Sequence, residues 1–167
     1  MKNMPIKVTV FMIALVFCTG VALAQYAVCP PAKIGGPVEK SLSAAFCNYE
    51  SYMVDKKAVH LDKAKKLLEG VLKQEPDNPV ALNNLAAIMV EEGKLDKADT
   101  LLGKALESLA AKPCLVRLNR VCAVNNICVA VEPVEMGGGN QDLEPMVKFN
   151  KEMVKEMMAR LKSPKAQ

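Results

Sequence analysis

Apolar residues recur at three- and four-residue intervals through the middle of this chain, and the spacing breaks at Pro76, Gly93 and Pro113. Leu42, Ala45, Phe46, Tyr49 and Met53 predict a first helix, capped by Ser41 or Ser43 and running to about Val59. Leu61, Ala64, Leu67, Leu68, Val71 and Leu72 predict a second, from about Asp62 to Gln74. Asn78-Pro79 joins a capping side chain to a first-turn proline, whose missing N–H costs nothing there. The third helix runs through Leu82, Leu85, Ala86 and Met89 to Glu92, and Gly93 supplies a permissive residue for the turn. Asp96 is expected to cap a fourth helix carrying Ala98, Leu101, Leu102, Ala105, Leu106 and Leu109.

The flanks follow other patterns. Three prolines and the Gly35-Gly36 pair make residues 25–42 an irregular lead-in. Residues 43–112 form the helical domain. Val121–Val131 is rich in β-branched residues and broken by Asn125-Asn126, which predicts a small β-hairpin within a cysteine-bearing segment, residues 113–140. That segment ends in a flexible joint at Gly137–Gly139. Over residues 141–162 an amphipathic helix returns, with Leu143, Met146, Val147, Met153, Val154, Met157, Met158 and Leu161 on one stripe.

The tetrapeptide Leu-Asp-Lys-Ala occurs at Leu61–Ala64 and again, 34 residues on, at Leu95–Ala98. Leu82, Leu85, Ala86 and Met89 on one helix, Gly93 at the turn, and Ala98, Leu102 and Ala105 on the next complete the pattern over residues 79–112. That segment resembles a tetratricopeptide repeat. The preceding unit, residues 45–78, is more divergent: Ala64, Leu68, Val71 and Pro76 fit, but Asn48, Ser51, Tyr52 and Asp55 stand where the family has Trp, Leu, Gly and Tyr. The resemblance implies a mainly α fold, a short α-solenoid of two helical hairpins. To it the chain adds the small β-hairpin and a C-terminal capping helix, which a two-unit solenoid needs for stability.

It also implies a groove lined by the first helix of each unit. On this sequence that face carries Phe46, Tyr49, Glu50 and Met53, then Val80, Asn83, Asn84, Ala87 and Val90. Adjacent asparagines on an apolar helix would pair through their amides with the backbone of an extended peptide; the alternative is that they are simply solvated. The groove points to binding another protein rather than to catalysis.

The N-terminus adds a destination. Lys2 and Lys7 precede the apolar run Val8–Phe17, and Ala22-Leu23-Ala24 completes the form of a secretory signal peptide over residues 1–24, cut after Ala24. The rival is a retained anchor, so membrane contact is expected only through an uncleaved leader or an envelope partner. Two of the four net positive charges leave with the leader. The remaining charges are interspersed and Trp is absent, which excludes nucleic acid as a natural partner. The expected location is periplasmic or secreted.

Cys18 leaves with the leader, and Cys29, Cys47, Cys114, Cys122 and Cys128 remain as disulfide candidates, an odd number with open pairing. No Cys-x-x-Cys exists, so structural zinc and thioredoxin-type chemistry have no motif. His60 is the only histidine, leaving a histidine-dependent catalytic array one member. No catalytic residue, metal or cofactor is expected, and the methionine stripe reads as core packing. The sequence therefore points to a non-enzymatic protein–protein interaction adaptor of the bacterial envelope, holding a peptide or helix in its groove. A redox or metal-handling periplasmic protein and a self-assembling, homo-oligomeric structural subunit are the alternatives.

Overall fold

Pro37 closes the lead-in, and the first helix begins directly behind it. The computed structural model describes residues 29–117, 121–122, 128–129 and 140–163. Within them, α1 spans Val38–Asp55, α2 Ala58–Gln74, α3 Pro79–Glu91, α4 Leu95–Ala111 and α5 Glu144–Lys162. Short strands β1 (Leu115–Arg117), β2 (Val121–Cys122), β3 (Cys128–Val129) and β4 (Asn140–Asp142) lie between α4 and α5. The expected signal peptide, the turn expected at Asn125-Asn126 and the expected joint at Gly137–Gly139 fall outside the described residues. Among those described, no helix is long and apolar enough to cross a membrane.

α1 starts before the serines expected to cap it. The Ser41 N–H already donates to Pro37 O at 3.0 Å, and Ser41 is buried inside the helix. α1 also ends at Asp55, short of Val59, because Lys56 takes a left-handed conformation (φ 55°) and donates its N–H to Tyr52 O at 2.8 Å. No glycine marks that turn, so the sequence carries no stop signal there. α2 therefore starts at Ala58 rather than Asp62. α3 follows its cap closely: Asn78 Oδ1 accepts the Ala81 N–H at 2.9 Å, with Pro79 at the first position. Gly93 (φ 71°) closes α3, and the next N–H, of Lys94, reaches back to Met89 O at 2.8 Å. Asp96 lies in the first turn of α4 and does not cap it. There its carboxylate opposes the positive end of the helix dipole.

The helices pack as two hairpin-like pairs, α1 with α2 and α3 with α4; α2 lies against α3, and α5 closes the stack against α4. Ala64, Ala86, Ala98 and Ala105 are fully buried where helices meet, so backbones approach closely and Leu42, Leu68, Val71, Ile88 and Leu102 interlock around them. Each such large apolar side chain contributes about 1.5–3 kcal/mol by leaving water. From α5 and its approach, Leu143, Val147 and Val154 are buried, while Met146, Met153, Met157 and Met158 flank them half-buried. The methionine stripe is thus core packing along its inner edge.

The lead-in is held down twice. Cys29 and Cys47 form a disulfide that ties it to α1. On α2, Gly70 has Ile34 so close that an added Cβ would meet its Cγ2 at 3.0 Å, and Gln74 Nε2 donates to Gly36 O at 3.2 Å. Between α4 and α5 the chain leaves and returns at one place, because β1 and β4 pair antiparallel with Leu115 opposite Asp142. The Leu143 N–H adds a bond to Cys114 O at 3.0 Å. β2 and β3 form the expected hairpin, with Val121 opposite Val129 and Cys122 opposite Cys128, and β3 lies beside α3.

Candidate binding groove

α3 carries most of the residues that the sequence assigns to a binding face, and every residue from Val80 to Val90 is buried. A helix apolar on all sides belongs in an interior, and here α2, α4 and β3 surround it. Asn83 and Asn84 are 0% and 1% exposed, so neither amide faces solvent in this structure. Ala87 and Val90 are buried beside them, as are Phe46 and Tyr49 on α1. Of the assigned face, Glu50 is exposed and Met53 half-exposed. Burial at its base pushes the Glu50 carboxyl up from its ordinary value.

The structure brings part of this set together, but internally. Tyr49 and Asn84 border one gap with Ala45, Phe46, Leu68 and Ile88, too small to admit water. Asn83 Nδ2 donates to Asn84 Oδ1 at 3.2 Å, and Asn150 Nδ2 on α5 donates to Asn83 Oδ1 at 2.8 Å. The asparagines therefore join α3 to α5. Asn150 is fully buried between Val147 and Val154 and was legible only as a polar residue in an apolar stripe. Lys151, one residue on, reaches α4 and donates to Asp99 Oδ1 at 2.8 Å.

An accessible concavity lies elsewhere. A cleft of about 470 Å³ opens between α2 and α4, floored by Leu85, Met89 and Leu101 and rimmed by Lys65, Glu69, Lys94, Asp96, Lys97 and Thr100. Glu92 organises one end: Lys65 Nζ donates to its Oε1 at 2.7 Å, and Lys94 Nζ to its Oε2 at 2.5 Å. Although burial opposes its charge, the hydrogen bonds from these lysines hold the Glu92 carboxyl below its usual value.

Near the α1–α2 turn, the Lys57 N–H donates to Asp55 Oδ1 at 2.9 Å and holds the Asp55 carboxyl below its ordinary value, helped by the charges of Lys57 and His60. His60 Nε2 lies 3.3 Å from Asp55 Oδ2, which gives this histidine a structural role at the start of α2. Lys56 sits over the Tyr52 ring, 4.8 Å from its centre. Burial, together with the neighbouring Glu91 carboxylate, pushes the Tyr52 phenol up. Among the described residues no group of three or more His, Cys, Asp or Glu side chains could hold a metal ion.

Residues 60–112 match the family model of the tetratricopeptide repeat. The segment from α2 to α4 thus carries a tetratricopeptide repeat. The match spans α2, α3 and α4 nearly end to end and omits α1, the helix whose Asn48, Ser51, Tyr52 and Asp55 depart from the family's pattern. No curated protein and no solved structure matches the chain significantly. In this repeat core α1 and α3 are the first helices and α2 and α4 the second. The open cleft therefore lies on the second-helix side, and α3 serves as the interior wall between the units. Burial pushes the Cys114 thiol up from its ordinary value, and the Asp142 carboxylate adds to the shift, which disfavours the reactive thiolate.

Proposed function

We propose that this chain is a non-enzymatic adaptor of the bacterial envelope, exported and cut after Ala24, that holds a peptide or helix of another envelope protein. Tetratricopeptide repeats in general mediate protein–protein interaction, and residues 60–112 carry that repeat. The observation that carries the reading is the open cleft between α2 and α4 of the repeat core, with an apolar floor and a charged rim. Such a site suits a segment that seats apolar side chains over Leu85, Met89 and Leu101 and meets the lysines with acidic or carbonyl groups. Asn83, Asn84, Ala87 and Val90 then act as the scaffold behind the cleft, while Glu50 and Met53 offer contacts on α1. The export reading draws support from the leader's pattern and from the Cys29–Cys47 disulfide, since such bonds persist in oxidising compartments.

Capture from an envelope extract tests this reading, using the native chain beside Leu101→Glu and Lys97→Glu variants. A protein retained by the native chain and lost by both variants, with helical circular dichroism unchanged, supports the cleft. A protein retained equally by all three moves the site away from it, and retention of nothing by the native chain counts against the adaptor.

A further inference from the structure

We propose that Cys122 and Cys128 form a second disulfide, one that closes the β2–β3 hairpin covalently. The backbone carries the inference. β2 and β3 pair antiparallel in a register that sets Cys122 directly opposite Cys128. Directly opposed residues of an antiparallel pair have Cα atoms about 4.5–5.5 Å apart, and disulfide-linked residues have theirs about 4.4–6.8 Å apart. The first range lies wholly within the second, so this register meets the spacing that a disulfide demands without backbone movement.

The other cysteines are accounted for elsewhere. Cys29 is bonded to Cys47. Cys114 belongs to a different ladder: it precedes β1, whose Leu115 lies opposite Asp142 of β4, and its carbonyl accepts the Leu143 N–H. The pairing of an odd set is thereby resolved, with Cys114 as the remaining thiol of residues 25–167. Its half-buried position and raised pKa suit a sulfur that stays reduced.

Formation needs a disulfide donor, such as oxidised glutathione. One cysteine thiolate attacks a glutathione sulfur and expels one glutathione thiolate. The second cysteine then attacks the mixed disulfide and expels the other, so one protein disulfide and two reduced glutathiones result. The consequence is local: β3, the strand beside α3, is held to β2 by a covalent bond as well as by backbone pairing. This inference is independent of the adaptor reading, and its test involves no partner.

The test is alkylation and mass spectrometry of the full-length protein, folded in a glutathione redox buffer and digested without reduction. Trypsin cuts after Arg120 and Lys148, so one peptide, residues 121–148, carries both cysteines, while residues 105–117 carry Cys114 alone. The expected result is a 121–148 peptide without alkyl groups and two hydrogens lighter than its reduced form, beside an alkylated 105–117 peptide. Two alkyl groups on 121–148, or a cross-link between it and 105–117, would overturn the proposal. A Cys114→Ser variant separates the cases: the internal link persists if the assignment holds, and a change to an alkylated 121–148 peptide contradicts it.

Discussion

Asn150 on α5 donates its side-chain N–H to Asn83 Oδ1 on α3 at 2.8 Å, and both residues are fully buried although 67 positions separate them. A buried amide bond of this kind fixes how α5 sits, because any other seating would strand polar atoms away from water. Replacing Asn150 by Ala should cost about 1–3 kcal/mol, the penalty for leaving a buried acceptor short of its donor. The Asn83→Ala/Asn150→Ala double variant should cost less than the sum of the singles. Urea unfolding of all four proteins measures the coupling; strict additivity would show that the bond orders nothing.

The disulfide between Cys29 and Cys47 ties the lead-in to α1 across 18 positions. Loop-closure entropy puts its contribution near 3 kcal/mol. A Cys29→Ser/Cys47→Ser variant should therefore unfold at distinctly lower denaturant than the native protein. Reductant should erase most of the difference between them.

The two ends of α3 rest on single residues. Asn78→Ala removes the oxygen that accepts the Ala81 N–H and should cost about 1 kcal/mol. Gly93→Ala places a side chain at φ 71° and should cost about 1–2 kcal/mol. Thermal unfolding should lower the midpoint in both, with near-additive effects because the sites lie at opposite ends of the helix.

Acid should destabilise the fold. Asp55 and Glu92 have carboxyls held below their ordinary values of 3.8 and 4.5. Across that window the unfolded chain binds more protons than the folded one, so stability rises with pH. Their stabilising contribution is complete above the ordinary values and is lost as pH falls through the folded ones. Glu50, raised by burial, acts in the opposite sense. An Asp55→Asn/Glu92→Gln variant should show a flatter loss of stability on acidification, measured as denaturation midpoint against pH.

How much of this was legible varied with where the information sits in the chain. The α3–α4 hairpin could be read closely because Asn78-Pro79 and Gly93 write its boundaries locally. The end of α1 could not, since Lys56 adopts its left-handed turn without glycine. The β1–β4 ladder had no local signal either: Asn140-Gln141-Asp142 has none of the residues that favour strands, and only its partner Leu115–Arg117 makes it one. The burial of most of the assigned face was hidden for a related reason. Asn83 and Asn84 read as surface amides until the later-coming β3 lies beside α3 and Asn150 of α5 bonds to Asn83. The apolar character of α3 on every side was the available clue.

The most direct test of the adaptor account is hydrogen–deuterium exchange of the protein alone and with its captured partner. Added protection is expected along Lys65–Glu69 and Lys94–Leu101, the segments that border the cleft, with the α3 interior unchanged because it is already buried. Protection confined to other surfaces, with those two segments exchanging as before, would contradict it.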